Sequence, residues 1–580
     1  MDNHVCQIEY RDYTSWSFTP KLENVNPIEH KLFHGDEVQV ASDNTISIVN
    51  SPVRNQPHIA GILLLEHNRT YGRTTNKKRL YYKCRPHDTK LPNFLIPYDI
   101  PMGFNKNFKN KYVTFQFVRW NEKHPHGILS QNLGDVHDFP SYCEYVLYCK
   151  QLHESITKSI THTKQGLKAK SADQFMGDIL KNTEQYGSFL KRDQDNIFSI
   201  DPEGCVDRDD AMSIFMTKKT TEMTRYKVSV YIANVWVWIH ALGLWDFIGE
   251  RVSTIYFPTA KRPMLPTALG EQLCSLDQLH RRFGFVMDFI VVEDSKKGIY
   301  IQDNQLKGPC LTQCTLTVKN NYDYEEPPLL QNKDYQQLLS ITKKLDSNVI
   351  DSHHVVEYWM TQMNRFTAKK MKKHQIGIYR VVSSRVVPTA NIPENAPMFV
   401  KILEQQLSGT YKRFDRDEEY VHETLGVTEY VHFTSPIRRM VDLLNQISWV
   451  LHVVTPSNIP PQVGVFYKKQ MLALDSLNTK MKQIRRIQSD CDILFKVHND
   501  DALIQKTYEG MVVTIGESKC SLYIEELKWL AQIPFQDCYR KYMKLKCKLY
   551  VFEKEEQMKR KIRVHVIADE PKNDCDKVVS

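Results

Sequence analysis

Apolar residues recur along this chain in three ways: alternately, at helical spacing, and as short unbroken runs. From Gly61-Ile-Leu-Leu-Leu to about Asp135, short β-rich runs alternate with turn residues and with two mixed clusters, Lys77-Lys-Arg-Leu-Tyr-Tyr-Lys83 and Phe115-Gln-Phe-Val-Arg-Trp120. This predicts a small β barrel, and aromatics interleaved with basic residues on short strands suit base stacking and phosphate pairing. From Pro140 to about Arg192 the spacing turns helical, with Tyr142, Tyr145, Val146 and Tyr148 periodic. Next come the apolar runs Ile197–Ile200 and Ala211–Phe215, read as strands. Helical patterns mix with them: Arg365–His374 continues a segment through Glu357, and Leu477, Met481, Ile484 and Ile487 recur within Leu472–Phe495. Alternation returns in Tyr508–Gly516, Leu545–Phe552 and Lys561–Val566, predicting a second small barrel with a basic rim of Lys544, Lys546, Lys548, Lys559 and Arg560.

These shifts divide the chain into six segments. Residues 1–55 are an N-terminal segment and a candidate part of a further barrel, 56–140 a β barrel, and 141–193 a helical connector. Residues 194–498 mix sheet and helix, 499–570 form the last barrel, and 571–580 are a polar tail. The richest apolar stretch, Tyr226 to Gly249, is interrupted by Lys227, Asn234, His240 and Asp246, so no membrane span is expected.

Composition narrows the class. The 580 residues carry a formal charge of +9, a moderate excess compatible with a nucleic-acid partner. Thirteen scattered cysteines, with no Cys-x-x-Cys pair, predict a reduced intracellular setting, the cytoplasm first. Cys310 and Cys314 lack a His/Cys partner pair at finger-like spacing, so zinc is not expected there. The first residues show no basic and then apolar run, so no signal peptide is expected.

The candidate chemistry lies in Asp201-Pro-Glu-Gly-Cys-Val-Asp207-Arg-Asp209-Asp210. Four aspartates and Glu203 this close repel one another unless they are splayed into solvent or neutralised by a cation. The apolar runs on either side place the cluster on a tight connection at a sheet edge. Carboxylate oxygens suit Mg²⁺, or Mn²⁺, and two such ions side by side serve in-line displacement at phosphorus. A solvated acidic loop or a calcium loop is the bland alternative, and the EF-hand spacing is absent. A second motif, His432-Phe-Thr-Ser-Pro-Ile-Arg438-Arg439-Met-Val-Asp442, points the same way. Pro436 fits the first position of a helix, Ser435 or Thr434 can cap it, and two guanidiniums at its start would hold a phosphate. The plain alternative is an Arg439–Asp442 pair on an ordinary helix.

On these residues the chain resembles the RNase II/RNase R (RNB-domain) exoribonuclease family. The aspartate signature appears as Ser199-Ile-Asp-Pro-Glu-Gly-Cys-Val-Asp-Arg-Asp-Asp-Ala, followed by Arg251-Val-Ser-Thr-Ile-Tyr-Phe-Pro, Pro263-Met-Leu-Pro and Leu273-Cys-Ser-Leu. His422, Leu425-Gly426 and Tyr430 lead into the Thr-Ser-Pro-Ile-Arg-Arg motif. Asn234 stands where the family usually has Asp, Tyr358 where it has one of two adjacent glutamates, and Gln446-Ile447 where it has His-Arg.

The resemblance implies a multidomain α+β protein: a mixed α/β RNB catalytic domain (194–498) flanked by small OB-type barrels, cold-shock-like at 56–140 and RNA-binding at 499–570. It implies a Mg²⁺-dependent hydrolytic 3′→5′ exoribonuclease that degrades single-stranded RNA to nucleoside 5′-monophosphates; beside the RNA, a monomer and no membrane partner are expected, and protein partners are left open. Asp201, Asp207, Asp209 and Asp210 are then the metal ligands. Asp209 is catalytic, as ligand or as orienter of water, together with Arg438, which neutralises charge on the scissile phosphate. Tyr256, Glu357, Arg439, Lys369 and Lys373 are the expected RNA contacts. The alternative is a non-catalytic RNA-binding protein on an RNB scaffold, and retention of all four aspartates argues against it.

Overall fold

The computed structural model describes residues 3–22, 25–41, 45–75, 78–100, 108–193, 195–303, 309–383, 397, 400, 408–455, 460–554 and 559–567. They fall into two compact units, residues 1–153 with 257–260 and 485–580, and residues 154–256 with 261–484.

The first unit contains three β-sheets. Residues 4–50 form an antiparallel sheet in the order Trp16–Thr19, His4–Ile8, Glu37–Val40, Ile46–Asn50. The second sheet closes on itself. Ile59–Leu63 pairs with Lys111–Arg119, followed in turn by His126–Asp135, Phe94–Tyr98 and Leu80–Pro86, and this last strand pairs back to Ile59–Leu63. Alternation drives this closure: Tyr82, Cys84 and Pro86 turn inward while their neighbours stay half-exposed. The strands also approach closely at Gly61, where a Cβ would lie 2.9 Å from the Phe115 ring. Helix Phe139–Cys149 follows, capped by Asp138, which accepts from the Ser141 amide at 2.9 Å, with Pro140 in the first turn.

The third sheet runs Trp529–Pro534, Lys519–Ile524, Tyr508–Ile515, Lys544–Lys554, Lys559–Val566. Leu545, Cys547 and Leu549 are buried, whereas Lys544 and Lys546 face out, as the period of two predicts. The expected tail 571–580, and the side chains of Lys559, Arg560 and Lys561, lie outside the described residues.

The second unit is built on a mixed sheet. Its order is Leu190–Lys191, Leu311–Thr317, Arg281–Asp294, Met223–Ala233, Asp210–Lys219, Phe198–Asp201, Asn320–Asp323, with Gly298–Ile301 beside Arg281–Asp294. Val228 to Ala233 is buried without a break, which explains why its apolar run does not alternate: both faces of this part of the sheet are covered. The chain turns at Asn234 into the short helix Val235–Ala241, so the long apolar stretch is a strand and a helix. Among the described residues no helix is long and apolar enough to cross a membrane.

Helix Ser352–Lys373 starts at Asp351, whose side chain accepts from the His354 amide, and buries Val355, Trp359, Met363 and Phe366. Lys370, Lys372 and Lys373 end it, where the helix dipole favours cations. The acidic connection departs from expectation in its place in the sheet. Phe198–Asp201 is flanked on its far side by Asn320–Asp323 in parallel, so the connection leaves the ends of two interior strands and not the sheet edge.

Candidate active site

Asp201 ends one strand and Asp210 begins the next, and the antiparallel pairing of Phe198 with Met212 brings these two ends together. The loop between them turns at Gly204, whose φ of 74° lies in the left-handed region open to glycine. All four aspartates line one cleft of about 820 Å³. Asp201, Asp209 and Asp210 are buried, and Asp207 is partly so.

Three of the four have partners in the chain. Asp201 accepts from the Ser199 hydroxyl at 2.8 Å, lies 3.6 Å from Arg208 Nε, and meets the Cys205 thiol at 3.8 Å. Asp207 accepts from the Tyr256 hydroxyl at 3.2 Å and from Lys261 at 3.4 Å. Asp209 accepts from the Ile437 amide at 2.8 Å through Oδ1, and its Oδ2 lies 3.0 Å from Arg438 Nε. Among the described residues, the Asp210 side chain has neither a hydrogen bond nor an ion pair. Burial, and then the charge of Asp201, push its carboxyl up to about 7. Burial also raises Asp201, against the opposing effects of Ser199 and Arg208, and holds Asp209 well above the usual carboxylate range despite Arg438.

The opposite wall is the turn Ser435–Arg439. Pro436 sits in this turn and does not open the helix, which runs Met440–Trp449 with extended Arg439 at its N-cap and no side-chain cap. The reason lies in Asp442. Its Oδ1 accepts from the Ser435 amide and from the Arg439 guanidinium, each at 2.8 Å, and this folds the turn back over the first helical residues. The carbonyl of Arg438 accepts from the Thr254 amide and the Ser253 hydroxyl, both at 2.9 Å, fixing the turn to the segment before Tyr256. The two arginines therefore differ. Arg439 has the Asp442 partner of the plain alternative, while Arg438 faces the acids. Burial alone would lower the Arg438 guanidinium, but Asp209, Tyr256, Asp210 and Asp207 reverse that, so it stays charged.

Tyr256, Glu357 and Arg439 line the same cleft; Lys369 and Lys373 are not among its lining residues. Lys369 pairs with Asp303 at 2.5 Å, and Lys373 is exposed. Tyr324, Lys261, His422 and Asn364 also line the cleft, and none of them is among the contacts expected from the sequence. Tyr324 arrives through strand pairing, since its amide donates to the Asp201 carbonyl at 3.1 Å and its ring stacks on His353 at 3.7 Å. Asn364 ties helix to turn, accepting from the Phe433 amide at 2.8 Å and donating to Tyr430 and Thr434. Arg208 had a readable signal. Lying between Asp207 and Asp209, Arg208 is absent from the cleft lining, as alternation of side chains along a strand would predict, and it reaches Asp277 at 3.0 Å.

The three departures from the family pattern sit behind the cleft. Asn234 donates to Gln313 at 3.0 Å, and Gln446 donates to the Ala233 carbonyl at 2.8 Å, both fully buried. Tyr358 packs edge-on against Trp359. None of the three lines the cleft.

A divalent cation fits this donor set by its chemistry: hard oxygen donors, an Asp209 Oδ2 without a hydrogen bond, and an unpartnered Asp210 beside Asp201. As they stand, however, no three His, Cys, Asp or Glu side chains among the described residues are gathered into a set that could hold a metal ion.

The mixed sheet and the small barrels define a multidomain α+β protein of RNB type with OB-type barrels. A family model described as RNB domain matches residues 191–326 and 323–454, and one described as Dis3-like cold-shock domain 2 matches residues 81–150. The chain thus carries an RNB domain, the domain type of RNase II and RNase R, across residues 191–454. It is similar to DIS3-like exonuclease 2 of Schizosaccharomyces pombe, 28% identical over 36% of this chain and 22% of that protein. It is 22% identical to Ribonuclease R of Mycoplasma genitalium over 59% of this chain and 56% of that one. The chain thus matches between about a fifth and just over half of the length of these curated relatives. Among solved structures, it shares the fold of Mycoplasma genitalium RNase R in complex with ribose methylated single-stranded RNA, at a TM-score of 0.65 and 16% identity, over 97% of this chain and 100% of that one. It also resembles yeast Ssd1, a pseudonuclease, at a TM-score of 0.55 and 14% identity, over 94% of this chain and 80% of that one.

Proposed function

We propose that this protein is a hydrolytic, Mg²⁺-dependent exoribonuclease that shortens single-stranded RNA from its 3′ end and releases nucleoside 5′-monophosphates. The observation that carries this reading is the meeting of Asp209 with Arg438 at 3.0 Å in a cleft lined by the other three aspartates. Relatives named as ribonucleases support it, as does the RNA in the complex of the Mycoplasma genitalium enzyme.

Asp201 and Asp210 would hold Mg²⁺ (Mn²⁺ serving as well), with Asp207 and Asp209 beside them. When bound, the ion supplies an acidified water and positive charge at the scissile phosphate. Asp209 aims Arg438 into the cleft, where the guanidinium meets the charge that builds on phosphorus oxygens. Tyr256 packs on the 3′-terminal bases, Glu357 orients the terminal ribose, and Arg439 holds an upstream phosphate. RNA selectivity requires a contact to the 2′-hydroxyl.

A catalytically silent RNA-binding protein is the second reading, favoured by the ungathered metal ligands and the likeness to Ssd1. One digestion separates the two. With Mg²⁺, 5′-labelled single-stranded RNA should give a descending ladder that ends in a short fragment, and chelation should abolish it. A few deoxynucleotides in mid-strand should stall the ladder. Binding without any ladder would select the silent reading, and immediate release of a labelled mononucleotide would reverse the direction.

A further inference from the structure

We propose that Lys261 is a resident cation of the acidic cleft, so that the site takes up a single divalent ion where a paired-metal arrangement would take two. This rests on the cation-dependent reading above and adds a residue that the reading does not use.

Lys261 lines the cleft and is held from two sides, by Glu271 at 2.7 Å and by Asp207 at 3.4 Å. Only about a quarter of its side chain is exposed (25%), so the ammonium is fixed among the acids. Asp207 has both oxygens occupied, Oδ1 by Lys261 and Oδ2 by the Tyr256 hydroxyl. A carboxylate with two donors already in place has little left for a metal. Asp209 gives Oδ1 to the Ile437 amide, and its Oδ2, without a hydrogen bond, has its charge already met by the Arg438 guanidinium 3.0 Å away.

What remains open is the pair Asp201 and Asp210. Asp210 has no partner among the described residues, and Asp201 Oδ1 has only the weak thiol contact of Cys205 at 3.8 Å. Arg208 buttresses Asp201 through Oδ2 and is absent from the cleft lining, so it leaves Oδ1 open. One divalent ion at Asp201–Asp210 and one ammonium at Asp207 would place two cations in the cleft. A lysine ammonium is a compact point charge that phosphate accepts in place of a metal.

The test counts bound Mn²⁺ on the full chain, by electron paramagnetic resonance or calorimetry, in parallel with the RNA ladder. The wild type should bind one ion. Lys261→Met, which frees Asp207 and Glu271, should bind two, and the Hill coefficient for Mg²⁺ should rise from about one to about two. Lys261→Arg, which keeps the charge, should stay at one, and a cooperative melt checks each variant. A wild type that binds two ions and cleaves RNA overturns this inference while leaving the nuclease reading intact. So does Lys261→Met that folds and still binds one. If it fails to fold, the wild-type count decides alone. A wild type that binds no Mn²⁺ and cleaves nothing overturns both.

Discussion

The acidic hairpin Asp201–Asp210 and the basic end of helix Ser352–Lys373 both read as charge clusters, yet the fold treats them in opposite ways. In the hairpin, three of four carboxylates are buried and set against a fixed guanidinium, at the cost of raising their proton affinity. At the helix end, Lys369 and Lys372 meet Asp303 and Glu429 on the surface, and Lys373 is exposed. Exposed pairs of this kind are worth under about 1 kcal/mol. A charged run becomes a site when folding confines it at a cost that a ligand can relieve; otherwise it is a solvated face.

Substitution sharpens this contrast most strongly in the hairpin. Asp209→Asn keeps the acceptor for the Ile437 amide but removes the charge that Arg438 faces. RNA hydrolysis should fall by about three orders of magnitude or more, while binding stays within a fewfold, since the carboxylate charge that repels phosphate is lost. Quantified single-turnover decay beside a binding titration checks this. Hydrolysis within tenfold of wild type would break the contrast.

A medium effect should appear without any substitution. The folded-state value of Asp210, about 7, lies above the ordinary carboxylate value near 4, and burial raises Asp201 in the same direction. The folded chain then keeps protons that the unfolded chain has released, so this contribution is full at low pH and lost as pH rises from about 4 through about 7. In metal-free buffer the melting temperature should drop across that window, on the order of a few degrees. Mg²⁺ should restore it more at pH 8 than at pH 5, because the ion binds the deprotonated acids. A metal response equal at both values would contradict the assignment. The smallest effect belongs to the helix end. Lys369→Ala with Lys373→Ala should change cleavage of a short oligomer less than about threefold, and a larger loss in a steady-state assay would bring those lysines back to the RNA path.

Legibility followed sequence distance. The hairpin was readable because its acids and its two strands are local, and Arg438, Arg439 and Asp442 because they lie within one turn and the helix after it. Lys261 comes from 54 positions after Asp207 and Tyr324 from more than 110 beyond the hairpin, through a side-chain bond and a strand pairing that no periodicity announces. Pro436 misled because a proline suited to a helix start also suits a turn, and only Asp442, seven residues after Ser435, decides between them. The sheet of residues 4–50 reads from the sequence only as a candidate part of a barrel, because its strands of four or five residues are too short for alternation to show.

The most direct test of the central claim, that this cleft delivers water to phosphorus, is digestion of single-stranded RNA in ¹⁸O-water with mass analysis of the products. Attack by water breaks the bond from phosphorus to the 3′-oxygen of the preceding nucleotide, which leaves with a proton. Each released nucleoside 5′-monophosphate should therefore carry one ¹⁸O on its phosphate, and the shortened RNA should end in an unlabelled 3′-hydroxyl. Products ending in a 2′,3′-cyclic phosphate or a 3′-phosphate, or 5′-monophosphates without the label, would contradict it.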